Sequence, residues 1–134
     1  MKLYNYIIII IILFSCSTDD TQVEYNPTPY YIETPNAFPV MNIPFDNPMT
    51  FEGVYLGKKL FYDEILSPDN SISCASCHIQ NYSFSDPNQY SFGVDQQIGF
   101  RHSSALINLG YNDFFHWNGS TSSLEDQLSR PLFT

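Results

Sequence analysis

SISCASCHIQ, residues 71–80, decides how this chain is read. It sets Cys74 and Cys77 two residues apart with His78 directly after the second thiol, and that spacing has few physical uses. A disulfide between the two cysteines would close a very tight loop and stabilise little. Tetrahedral zinc needs two further ligands. His102 and His116 could serve, but they stand fourteen residues apart, not at the short spacing of a paired-histidine half-site. A redox dithiol of thioredoxin type belongs in a βαβ frame, and none surrounds this motif. Covalent haem c asks only for what is present: two thiols a helical turn apart to add to the haem vinyl groups, and a histidine carried under the iron as axial ligand. Haem is therefore the leading reading, with zinc and an isolated redox pair as the alternatives.

The N-terminus agrees with it. MKLYNYIIIIIILFSCSTDD has Lys2 ahead of an apolar block, Ile7 to Phe14, that is too short to span a bilayer and reads as an export signal. LFSC resembles the lipobox of bacterial lipoproteins, in which cleavage precedes the cysteine and that cysteine carries lipid. The expectation is a signal peptide over 1–15 and a lipid anchor at Cys16, placing the mature protein outside the cytoplasm on the membrane, in the periplasm or cell envelope. A plain secretory signal with a stray cysteine is the simpler alternative. With Cys16 lipidated, Cys74 and Cys77 are the remaining thiols.

Composition excludes other classes. Five Lys and Arg against fourteen Asp and Glu give a formal net charge of −9, without any basic run, so nucleic acid is not expected as a partner. Glycine-rich phosphate loops and a Gly-x-Ser-x-Gly elbow are absent from the sequence. Ten Tyr and eleven Phe suit either an ordinary core or the lining of a flat apolar cofactor.

The span 17–48 holds Pro27, Pro29, Pro35, Pro39, Pro44 and Pro48. Proline at that density disfavours helix and central strand, so 16–48 reads as a lipid-anchored, semi-extended tether. From residue 49 the pattern changes. FEGVYLGKKLFYDEIL carries Phe51, Val54, Tyr55, Leu56, Leu60 and Phe61 at helical spacing, with Pro48 at the start and Pro68 closing the segment. SPDNS reads as a turn, Ser73 as the cap of a short helix from Cys74 to Ile79, and 82–100 as a long loop. SSALINLGYN predicts a short helix over Leu106, Leu109 and Gly110. STSSLEDQLSRP predicts another, with Ser122 and Glu125 as capping box and Pro131 as its stop. The expected fold is all-α: a small helical domain with long loops over 49–134, behind the signal and the proline-rich tether.

Function then turns on the sixth coordination position of the iron. Electron-carrying cytochromes commonly close it with a methionine downstream of the histidine, whereas Met1, Met41 and Met49 all lie upstream. His102 and His116 are the other candidates to close it. If none binds, the iron keeps a face open to peroxide. Arg101 is a candidate partner for a haem propionate, against the plainer reading of a solvated arginine.

LGKKLFYDEILSPDNSISCASCH, followed in order by FSD, SFGV, RHSSALINLGYN, FFHWNG and SLEDQLSRP, resembles the N-terminal half of the bacterial di-haem cytochrome c peroxidases and their methylamine-utilisation relatives. The resemblance implies a small helical, cytochrome c-like domain carrying the peroxidatic haem, with Cys74 and Cys77 binding it covalently and His78 as proximal ligand. It implies that Trp117 is the tryptophan relaying electrons between two haems and that Gln127 is a distal-pocket glutamine. The implied activity is reduction of hydrogen peroxide to water with electrons from a small donor protein. The alternative is a lipid-anchored electron-transfer module without peroxide turnover. Departures matter too. Val94 stands where some members carry a closing histidine, which implies an open iron. His102 stands where many carry a calcium-binding asparagine, which puts calcium in doubt. The family's second haem domain and its distal carboxylate lie beyond Thr134, so a fragment of a longer di-haem protein is expected.

Overall fold

Thr50 starts the first helix. Its backbone is extended (φ −132°, ψ 156°), and its Oγ1 accepts the Gly53 N–H at 3.0 Å, which fixes α1 over Phe51–Tyr62. The cap is thus Thr50 and not the neighbourhood of Pro48. The computed structural model describes residues 24–133; the expected signal peptide and Cys16 lie outside them. α1 ends at Asp63, whose Oδ1 accepts the Ile65 N–H at 3.0 Å and opens a 3-10 turn, Glu64–Leu66. The SPDNS turn follows as expected. Asp69 Oδ1 accepts from Ser67 Oγ, Ser71 Oγ and the Ser71 N–H at 2.6, 2.7 and 3.1 Å, and these donors hold its carboxyl below the ordinary carboxylate range.

α2, Cys74–Cys77, is a single turn packed against α1. The Ser73 N–H donates to Ser76 Oγ at 3.0 Å, and the helix ends at Cys77 with His78 as its C-cap, two residues short of the expected Ile79. Farther along, the SSALINLGYN helix is reduced to a 3-10 turn, Leu109–Tyr111, entered through Asn108 at φ 54°. Three residues cannot close an α-helical bond ladder, and a left-handed residue ahead of them prevents extension backward. α3 spans Leu124–Phe133. Its start lies one residue later than expected: Ser123 Oγ accepts the Asp126 N–H at 3.0 Å, in place of a Ser122–Glu125 box. Pro131 lies inside α3 instead of ending it, forfeiting one backbone bond near the C-terminal turn.

Among the described residues β-pairing is confined to isolated antiparallel bridges: Pro29 with Thr50, Ile79 with Ser85, Phe92 with Ile98, and Phe115 with Thr121. The last three each join residues i and i+6, making three small closed loops. The 82–100 stretch is therefore ordered by its own rung, with Gly93 N–H to Gln97 O at 2.8 Å and Gly99 N–H to Ser91 O at 2.9 Å.

The described part of the proline-rich segment, from residue 24, forms no helix and lies against the rest of the chain. Tyr30 N–H donates to Met49 O at 3.0 Å and Phe51 N–H to Thr28 O at 2.9 Å. Tyr30 meets Phe51 edge to face, and Phe38 meets Tyr111, both at 5.0 Å between ring centroids. Met41 covers Gly110 so closely that a Cβ there would come within 2.7 Å of its sulfur. Asn47 Nδ2 donates to Glu125 Oε1 at 2.8 Å, at the head of α3. The segment thus touches the first helix, the Leu109–Tyr111 turn and the last helix.

Little apolar surface is buried. Among the described residues Phe115, 8% exposed, is the one buried hydrophobic side chain, while Thr50, Asp86 and Thr121 are buried polar ones. Polar posts therefore do much of the ordering. Asp86, 6% exposed, accepts at Oδ1 from the Asn88 N–H at 2.8 Å and from Asn88 Nδ2 at 3.0 Å. Burial pushes its carboxyl up, but the Asn88 N–H, the Ser91 hydroxyl, the Asn88 amide and nearby His102 outweigh burial and hold it below the ordinary value.

Two measurements test this account. Thr50→Ala removes the cap of α1 and is expected to cost about 1 kcal/mol in urea unfolding. Asp86→Ala leaves its donors unpaired and is expected to cost roughly 1–3 kcal/mol at neutral pH. Because the Asp86 carboxyl titrates below its unfolded value, its stabilisation is present at neutral pH and is lost as pH falls through the carboxylate range. The stability difference between parent and Asp86→Ala should narrow on acidification.

Candidate haem site

Cys74 and Cys77 lie at the two ends of the α2 turn, both half-buried and both free thiols. Cys77 Sγ lies 3.9 Å from the Phe92 carbonyl. Burial pushes its thiol up, with the negative charge of Asp86 and the neighbouring Cys74 adding to this and Ser91 opposing it, so the sulfur is held protonated. His78 follows as the C-cap, its N–H bonded to Cys74 O at 2.9 Å, so the imidazole emerges where the helical turn ends.

The ring of His78 is oriented by one bond, Nδ1 to the Phe84 carbonyl at 2.9 Å. A carbonyl oxygen only accepts, so Nδ1 carries a proton and Nε2 is the nitrogen left to meet a metal. Histidines that ligate metals are held in the same way, through the second ring nitrogen. The chain reaches this geometry through two consecutive left-handed residues, Ser83 (φ 59°) and Phe84 (φ 56°), the second unusual for a bulky side chain. Ile79 N–H to Ser85 O and Phe84 N–H to Ile79 O, both 3.0 Å, seal the loop. Two free thiols on one turn and an imidazole oriented through Nδ1 form a donor set that fits covalently bound haem. Zinc finds no comparable set, since no three His, Cys, Asp or Glu side chains among the described residues converge as metal ligands.

The other candidates are placed as follows. His102 Nε2 is 2.8 Å from Asp86 O, and by the same reasoning it donates there, so that nitrogen is engaged. His116 is exposed with φ 64°. Met41 sits on Gly110, and Met49 is half-buried beside the Tyr30 bond. Val94 is half-buried at the head of the 94–96 turn, and Arg101 is exposed. Trp117 is 56% exposed, with its indole N–H donating to His102 O at 2.9 Å; Leu106 and Leu109 are half-buried. Gln127 is half-buried on α3, its Oε1 accepting from Thr121 Oγ1 at 3.0 Å.

Phe84, Asp86 and Thr121 escaped the reading of the motifs. Phe84 and Asp86 act through main-chain carbonyls, which no side-chain pattern reports. Thr121 could have been suspected only from its closeness to Gln127. Behind the Phe84 loop, Gly57, Phe61, Tyr62, Gln80, Phe84 and Leu106 line an open groove against α1.

A family profile described as di-haem cytochrome c peroxidase matches residues 51–134. The chain is 39% identical over 89 residues to the cytochrome-c peroxidase IdrP1 of Pseudomonas sp. (strain SCT), a match covering 66% of this chain and 24% of that protein. It is 38% identical over 95 residues to the methylamine utilization protein MauG of Methylorubrum extorquens, covering 66% and 25%. Against the cytochrome c peroxidase Ccp of Escherichia coli it is 36% identical over 93 residues, covering 69% and 20%. The crystal structure of a MauG-like protein associated with microbial copper homeostasis superposes with a TM-score of 0.75 at 34% identity, over 78% of this chain and 30% of that one. The chain thus spans about a quarter of the length of the curated relatives it matches. Match over most of the ordered domain, by sequence and by shape, places this chain in the di-haem cytochrome c peroxidase family that includes MauG.

Proposed function

We propose that this chain is a haem c domain of a peroxidase that reduces hydrogen peroxide to water with electrons from a small donor protein. The observation that carries the reading is the His78 bond to Phe84 O, which leaves Nε2 free to ligate iron directly after the two free thiols. Cys74 and Cys77 would hold one haem through thioether bonds and His78 would be its proximal ligand. Bound haem supplies the redox chemistry at iron that cleaves the O–O bond. The overall balance is one peroxide, two electrons and two protons giving two waters.

The chain's own groups would prepare that reaction. Because Gln127 Oε1 is occupied by the Thr121 hydroxyl, its NH2 is the free end and can donate a hydrogen bond to a peroxide oxygen. An amide does not exchange protons at ordinary pH, so Gln127 orients peroxide and does not act as the acid. Trp117 would relay electrons and Arg101 would meet a propionate. The same reading puts the protein outside the cytoplasm, anchored through lipid at Cys16, with a second haem domain as a partner in the complete protein. Among the described residues no helix is long and apolar enough to cross a membrane.

The deciding experiment is the ferric absorption spectrum of the protein matured in a host that attaches haem c. A high-spin spectrum that changes on adding peroxide is expected. A low-spin spectrum indifferent to peroxide would overturn the peroxidase reading in favour of electron transfer alone. A second measurement concerns the glutamine. Thr121→Val keeps the shape and removes the hydroxyl donor, so the peroxide-induced spectral change should slow about tenfold, ~1.4 kcal/mol, while the resting spectrum holds. An unchanged rate would remove Gln127 from the peroxide pocket.

A further inference from the structure

Trp117 is held in an unusual way for so exposed a side chain. Its indole has little packing, yet its N–H is satisfied by a protein carbonyl, that of His102, at 2.9 Å. The loop presenting it is closed by the Phe115–Thr121 bridge and bent through left-handed backbone at His116 (φ 64°) and Gly119 (φ 67°). Left-handed backbone at a non-glycine residue persists where the surroundings impose it, and such places concentrate at functional sites.

His102 is itself fixed from the other side. Its ring Nε2–H donates to Asp86 O at 2.8 Å, and Asp86 is a buried residue braced by Asn88. Next to it, Ser85 Oγ donates to Ser103 O at 2.7 Å, and the Ser91 and Ser103 hydroxyls are 2.6 Å apart. Residues 102–103 are therefore fastened along 84–86, the same stretch whose Phe84 carbonyl orients His78. One residue thus takes its position from the His78 loop through its side chain and hands that position to the indole through its main chain.

We infer that His102 is a positioning residue that ties the indole of Trp117 to the His78 loop and so fixes its attitude relative to the haem ligand. The role needs only the Nε2–H bond to Asp86 O and the main-chain carbonyl. A side chain that donates from the same distance, such as glutamine, can replace the ring. An alanine cannot, although its carbonyl remains available to the indole. The consequence for electron relay rests on the peroxidase reading; the latch itself does not.

Trp117 is the single tryptophan of the chain, so its indole N–H gives one unambiguous signal in 15N-resolved NMR of the reduced, carbon monoxide-treated, haem-loaded protein. In the parent that N–H should exchange with solvent roughly tenfold more slowly than a free indole. In His102→Ala it should exchange at the free rate and move to the free shift, and His102→Gln should restore both. Free-indole exchange in the parent overturns the inference without any variant, and so does an unmoved signal in a folded His102→Ala. Failure of His102→Gln to restore the signal also overturns it. Donor-driven peroxide turnover should fall about tenfold in His102→Ala with the His78-dependent visible spectrum unchanged. A parent spectrum indifferent to peroxide would refute the peroxidase reading and leave the NMR result to decide the latch.

Discussion

The hydrogen bond from His78 Nδ1–H to the Phe84 carbonyl is the constraint around which the described structure is arranged. It requires the chain to double back within six residues of the histidine, and that return is possible only through left-handed backbone at Ser83 and Phe84. Once made, the return puts Ser85 and Asp86 alongside 102–103, and His102 then receives the indole of Trp117. A tautomer preference on one imidazole is in this way connected to the placement of an aromatic residue thirty-nine positions later. The proposed ligand role would need such a bond: the nitrogen facing away from a metal must have its proton fixed before the other can bind reproducibly.

Order here is achieved with few apolar contacts. Of the seven non-glycine residues with positive φ among the described residues, five lie in the three loops closed by single rungs: Ser83 and Phe84, Asp95 and Gln96, and His116. Each left-handed residue costs on the order of 1–2 kcal/mol, and each loop offsets that cost with backbone bonds and with side chains that satisfy nearby carbonyls. Buried Thr121 shows the economy of the device. It closes the Phe115 rung with its main chain and holds the Gln127 amide with its hydroxyl, so the loop that carries Trp117 and the helix that carries Gln127 share one anchor.

What the sequence disclosed was the part written in side chains of fixed chemistry. Two cysteines and a histidine at set spacing, the apolar rhythm from Phe51 to Phe61, and the SPDNS turn all stand where their residue types require. The cap of α3 and the extent of the turn near Leu109 were less legible, because Ser122 and Ser123 offer equivalent hydroxyls and Asn108 permits a conformation that breaks a helix. His102 was legible only in part: a histidine near a haem motif suggests a ligand, and only geometry reveals that its Nε2 serves a carbonyl. The contacts of residues 24–49 with the domain were hidden for another reason, since proline density argues against helix and strand but is silent on docking.

Those contacts also bear on the order in which the protein can form. The bonds from Tyr111 to Thr34 and from Asn47 to Glu125 join residues 77 and 78 positions apart, whereas the loop that orients His78 closes over six. Closing a short segment restricts far less chain than closing a long one, and local contacts form first. The cysteine pair, the imidazole and the carbonyl that orients it can therefore reach their final arrangement while the N-terminal segment and α3 are still undocked, which would leave the motif both shaped and accessible for the haem attachment proposed above.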